Sequence, residues 1–178
     1  MKKILTGIVF FAGASLANAD SFLYGEFAYV PFNYKETANS ATYSATGGTA
    51  ARGIIGVDLV ESLALEAIFA SGLSMAKTTG NIANINLDRI YGFYVKPKVN
   101  IGENATLFAR MGFTLVTGST SISDSSFSGS STNNSISYGI GMSYKLSETL
   151  SVNADYMNYY NSNSSNATGV ALGIGFKF

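Results

Sequence analysis

The last ten residues, GVALGIGFKF (residues 169–178), decide the fold. Val170, Leu172, Ile174, Phe176 and Phe178 fall on one side of an extended chain. Gly169, Ala171, Gly173, Gly175 and Lys177 fall on the other. A period of two puts successive side chains on opposite faces of a strand. One face here is large and apolar, and the other is small with a single cation. That division suits hydrocarbon on one side and a crowded, partly polar interior on the other.

The same alternation recurs upstream. Ile136, Tyr138, Ile140, Met142, Tyr144 and Leu146 form one apolar face, with Ser137, Gly139, Gly141, Ser143 and Lys145 opposite. Leu107, Ala109, Met111, Phe113 and Leu115 form another, and Tyr91, Phe93, Val95, Pro97 and Val99 a third. Leu63, Leu65, Ala67, Phe69 and Leu73 make a fourth, and weaker alternation runs through residues 23–29, 55–59 and 150–156.

Three short segments organise these runs: VESLALEA (60–67), IGENATLFA (101–109) and LSETLSVNA (146–154). Each places a Glu (Glu61, Glu103, Glu148) just before a new alternating run. The spacing holds two strands, a tight turn and a longer connection. Three turns join six strands, and one further strand at each end gives eight. The remaining connections, near residues 34–49, 74–84, 118–134 and 160–167, are rich in Ser, Asn, Thr and Gly and read as long polar loops. The expected fold is all-β: an eight-stranded antiparallel up-and-down transmembrane β-barrel, with short periplasmic turns and longer extracellular loops.

Composition agrees. Charged residues are only 12% of the 178 and hydrophobic ones 47%, whereas a soluble domain carries about 25% charge. Lys2 and Lys3 precede an apolar run starting ILTGIVFF (4–11), and Ala17-Asn18-Ala19 matches a small-residue cleavage site. Residues 1–19 therefore read as a cleaved signal peptide and residues 20–178 as the barrel domain. The run is too short for a comfortable membrane helix, which needs about 20 apolar residues. Without Lys2 and Lys3, nine bases face eleven acids, and no basic patch suggests nucleic acid.

With the signal, the turns and the ending GVALGIGFKF in view, residues 20–178 resemble the small outer-membrane β-barrel family of the OmpA-domain and OmpX kind. The resemblance implies residence in the bacterial outer membrane among lipid and lipopolysaccharide, and contact with periplasmic chaperones and the outer-membrane assembly machinery during biogenesis. It implies that Phe178, Phe176 and Ile174 act as the assembly signal, and it favours a monomer. The absence of Trp departs from the family's pattern. Tyr29, Tyr91, Tyr144, Tyr156 and Tyr159 at segment ends read as interfacial rings.

The chain has no His and no Cys. That removes Ser-His-Asp and Cys-His catalysis, thiolate metal sites and disulfides. Resemblance to the enzymatic outer-membrane barrels, which depend on a His, fails here. No enzyme, cofactor or metal is expected. A soluble lipocalin-like can would reverse the faces, placing apolar residues inside. The alternation instead turns Glu26, Asp58, Glu66, Asp88 and Asp155 inward, with Arg52, Lys96, Lys98, Arg110, Lys145 and Lys177. An eight-stranded interior is just wide enough for side chains, so such charges should pair. Glu26, Glu66, Arg110 and Asp155 are expected to form a central polar network that plugs the lumen. The expected role is structural, with surface display through the loops for envelope integrity or adhesion. The alternative is a narrow porin-like channel for small solutes or ions.

Overall fold

The computed structural model describes residues 22–38, 41–78, 83–122, 128–162 and 164–178. The signal-peptide reading of residues 1–19 lies outside them. The described residues form β1 (Leu23–Ala38), β2 (Ala41–Val60), β3 (Leu63–Ser74), β4 (Ala76–Thr78), β5 (Ala83–Ile101), β6 (Ala105–Ile122), β7 (Ser128–Lys145), β8 (Leu150–Asn161) and β9 (Ser165–Lys177). All neighbours pair antiparallel. β3 and β4 are two pieces of one stave, broken at Met75, and both lie between β2 and β5. β1 pairs β2 on one side and β9 on the other, from Tyr24↔Lys177 to Glu36↔Ser165. Eight staves thus close on themselves, and closure leaves no unpaired edge.

The alternating runs take the faces that their periodicity sets. Ile140 (68% exposed), Phe113 (73%), Phe93 (76%) and Leu172 (62%) point outward in an apolar belt, while Ala28, Ile68, Ile90 and Ala171 on the opposite parity are buried. The Glu-marked turns are tight: Glu61–Ser62 between β2 and β3, residues 102–104 between β5 and β6, and residues 146–149 between β7 and β8. Gly102 sits at φ 71°, a conformation that costs glycine nothing and strains other residues.

The polar connections differ from the expected loops. β1 and β2 stay paired up to Ala38↔Ala41, β5 and β6 up to Ala83↔Ile122, and β6 and β7 up to Ser121↔Ser128. The described residues of the stretch from Gly118 to Asn134 are strand, with residues 118–121 paired to 128–131 as a two-stranded ribbon. Backbone pairing needs no apolar face, and beyond the belt both faces meet water, so the alternation that marks a strand in sequence disappears there. Register shifts at Phe32/Tyr34, Thr49/Ala50, Leu87/Arg89 and Asn158/Tyr160 lie on the hairpin side, where the alternation gives out. One assignment is corrected by the burial of β8. Tyr29, Tyr91, Tyr144 and Tyr156 are about half exposed on the outer face, but Tyr159 is 3% exposed and points into the lumen. Tyr159 shares the parity of Asp155 and Met157, both buried, so the alternation of β8 itself turns it inward.

The belt makes a direct prediction. Ile140→Arg near its middle should cost about 2–4 kcal/mol, the usual cost of a cation at mid-bilayer depth. Ser130→Arg on the hairpin should change stability by under about 0.5 kcal/mol. Urea unfolding of both variants in lipid vesicles checks this, and equal costs would contradict a lipid-facing belt.

Candidate functional site

The ladder prepares room for charge inside the barrel. Each of six inward charged residues has Gly or Ala as a cross-strand neighbour. Glu26 faces Gly175, Arg52 faces Ala28 and Ala70, and Glu66 faces Gly56. Lys96 faces Ala64, Arg110 faces Gly139, and Asp155 faces Gly141 and Ala171. Alternating large with small side chains fills a narrow barrel without clashes.

These six meet in one lattice. Arg110, on β6, donates from Nη2 to Glu26 Oε2 (2.7 Å), from Nε to Glu66 Oε2 (2.5 Å) and from Nη1 to Asp155 Oδ2 (2.8 Å). One guanidinium therefore ties β6 to β1, β3 and β8. Arg52 reaches Asp155 through two bonds, 2.8 and 2.5 Å, and donates to the Tyr159 hydroxyl at 2.8 Å. Lys96 Nζ stands 2.9 Å from both Glu26 and Glu66. Three cations and three carboxylates balance, and the Arg110 side chain is 0% exposed. Charges so buried are tolerable because each is paired and hydrogen-bonded.

Aromatic rings close the lattice. The Tyr24 hydroxyl donates to Glu66 Oε1 at 2.6 Å. Phe108 lies under both Lys96 Nζ (4.5 Å to the ring centre) and the Arg110 guanidinium (4.4 Å), a favourable placement against the negative ring face. Nearer the turns, Lys98 pairs with Asp58 at 2.6 Å. Tyr94 donates to Ser137 Oγ at 2.7 Å, and Ser137 to the Asn158 carbonyl at 2.6 Å.

The structure thus brings Glu26, Glu66, Arg110 and Asp155 together around Arg110. Arg52 and Lys96, inward by periodicity, join them. Sequence reasoning misses Tyr24 and gives Tyr159 the outer face, although each shares the parity of an inward carboxylate, Glu26 and Asp155, because aromatic rings near strand ends read as interfacial. Asp88 sits apart, accepting from Asn86 Nδ2 (2.7 Å) and Ser119 Oγ (3.1 Å) on the hairpin side. Lys145 and Lys177 stand at the turn end, exposed at the mouth of a cavity of about 550 Å³ that reaches Lys96 and Phe108. A second cavity, about 540 Å³, enters from the hairpin end and stops at Tyr159 and Ile90. Phe178, Phe176 and Ile174 are exposed outside, and the Phe178 amide donates to the Leu23 carbonyl at 3.0 Å across the closing seam.

An arrangement of balanced charges in a closed barrel can brace the wall and obstruct the lumen. It offers no described residue with an activated nucleophile. Similar barrels are known. The attachment invasion locus protein Ail of Yersinia pestis superposes with a TM-score of 0.65 at 15% identity, covering 90% of this chain and 100% of that one. Neisserial surface protein A gives 0.65 at 14% identity, with the same coverages. The N-terminal β-barrel domain of Pseudomonas aeruginosa OprF gives 0.57 at 14%, covering 86% and 97%. At such identities the likeness carries the fold. No curated protein matches the chain by sequence. Residues 4–178, however, match the outer membrane protein beta-barrel domain, and with the lipid-facing belt and closed eight-stave wall the chain belongs to that family of outer-membrane proteins.

Proposed function

We propose that this protein is a closed structural barrel of the outer membrane that displays its polar hairpins outward and has no catalytic role. The observation that carries this reading is the lattice around Arg110, which lies between the two cavities and ties opposite walls of the lumen. The short turns belong in the periplasm and the long hairpins outside. Lys35, Lys77 and Arg89, exposed at the hairpin end, suit the phosphates of lipopolysaccharide in the outer leaflet. Envelope integrity or adhesion through the Ser/Asn/Thr-rich hairpins follows as the physiological role. Export would remove residues 1–19, giving a mature protein that begins at Asp20, which intact mass reads directly. Phe178, Phe176 and Ile174 serve the assembly machinery as a terminal apolar stripe.

Planar-bilayer recording tests the closed lumen. Purified protein should give no defined conductance steps. Steps of fixed size that Arg110→Ala alters would overturn this reading in favour of a narrow path for ions, which the approach of both cavities to the lattice would then serve.

A further inference from the structure

Among its described lining residues the cavity at the hairpin end touches the lattice only at Tyr159, and the rest of its lining has a chemistry of its own. Phe32, Leu87, Ile90 and Tyr159, all buried, form its inner end. Apolar concavities of this size with a few polar groups are the usual form of small-molecule sites, and barrel mouths are a preferred place for them. The mouth is different. Tyr34 and Tyr160 are both cross-strand partners of Ala167, on either side of β9, so two rings flank a position with almost no side chain. Tyr43 is the cross-strand partner of Glu36. All five residues line the cavity, and Glu36 is the only charged side chain among the described lining residues. The Tyr34 hydroxyl donates to Glu36 Oε2 at 3.1 Å and fixes the carboxylate at the rim.

The charge around the mouth points the same way. Asn86 and Ser119 line the cavity and both donate to Asp88, so a second carboxylate stands directly behind the wall. The lattice beneath is balanced and adds little net charge. Lys35, Lys77 and Arg89 lie at this end, yet none of them lines the cavity. An anionic guest would meet Glu36 with no described cation to offset it. A cationic guest would meet a carboxylate and up to three tyrosine faces, the grouping that recognises organic ammonium ions.

We propose that this cavity is a binding site for an amphiphilic organic ammonium. Its apolar body fills the pocket between Phe32, Leu87 and Ile90, and its cationic head stays at the rim between Glu36 and the tyrosines. The site needs no movement of the lattice and is independent of whether the lumen conducts.

Tryptamine is a suitable probe, because the protein contains no Trp and any indole emission comes from the ligand. Protein in phosphatidylcholine vesicles is titrated against tryptamine, with empty vesicles subtracted. A saturable blue shift is expected. Indole-3-propionate, of similar shape but opposite charge, should bind at least tenfold more weakly. Glu36→Gln should weaken tryptamine at least tenfold and leave indole-3-propionate equal or tighter. Ala45→Phe, which places a ring where a fully buried methyl lines the cavity, should abolish binding of both, and Lys35→Gln on the outer face should change neither. Heat-modifiable gel migration verifies that each variant is a folded barrel. No saturable shift, equal binding of the two probes, or tryptamine affinity unchanged in folded Glu36→Gln would each overturn the proposal.

Discussion

Arg110→Met should lower the unfolding free energy by about 3–5 kcal/mol, the usual consequence of removing one partner from a buried ion cluster. The wild-type lattice sets three cations against three carboxylates, and Arg110 alone contacts all three of the latter. Without it, Glu26, Glu66 and Asp155 share only Arg52 and Lys96, and one negative charge is left without compensation in a medium that screens poorly. The loss should not be additive with removal of that charge. In Arg110→Met/Glu66→Gln, Arg52 keeps Asp155 at 2.5 Å and Lys96 keeps Glu26 at 2.9 Å, so two self-contained pairs remain. The amide carbonyl introduced by Glu66→Gln can still accept from Tyr24. The double variant should therefore recover most of the loss, giving a coupling within the range of about 0.5–3 kcal/mol found for contacting residues, or somewhat above it. Urea unfolding in lipid vesicles measures both. A single-variant cost below about 1 kcal/mol, or a double variant no better than the single one, would mean that the lattice does not brace the barrel. Should Arg110→Met fail to fold, folding of the double variant is itself the readout.

That lattice shows how far the sequence reaches. Period-two patterning gives the face of each residue, so Glu26, Glu66, Arg110 and Asp155 could be placed inside together. The Glu-marked turns give the staves. Patterning does not give the register between staves, and register decides that Arg52 meets Asp155 across 103 positions of chain. Tyr159 is a different case: it has the parity of the inward Asp155, and its reading as an outer-face ring follows its place at a segment end rather than the alternation. The hairpins were illegible for another reason. The alternation is a record of two different solvents on the two faces of a strand. Where β6 and β7 rise beyond the apolar belt, water lies on both sides, and residues such as Ser119, Ser130 and Thr132 carry no trace of the pairing they make. The cavity at the hairpin end depends on those unmarked segments, since Glu36, Tyr43 and Asn86 all lie on stretches of this kind.

The other large effect is a pair of strand-glycine substitutions with opposite outcomes. At Gly112, on β6, an added Cβ would collide with the Phe93 carbonyl oxygen and stand 2.9 Å from Tyr94 Cα. Both obstacles are backbone of β5, hydrogen-bonded into the wall, so neither can rotate away as a side-chain tip would. Inserting atoms into packed surroundings costs about 1–3 kcal/mol where side chains can shift, and more where they cannot. Gly112→Val should exceed about 3 kcal/mol and leave little heat-modifiable barrel. Gly53, on β2, is also a strand glycine, but a Cβ there meets nothing within 4 Å. It pairs with Phe27 and Phe69, both on the outer face. Gly53→Ala should stabilise by about 0.4–1 kcal/mol, because it restricts the unfolded chain without strain in the folded one. The contrast separates two uses of glycine in a small barrel. One lets adjacent staves approach where the wall curves tightly, and the other leaves a gap in the lipid-facing surface. Equal effects at the two positions in vesicle unfolding would show that close approach between β5 and β6 is not what requires Gly112.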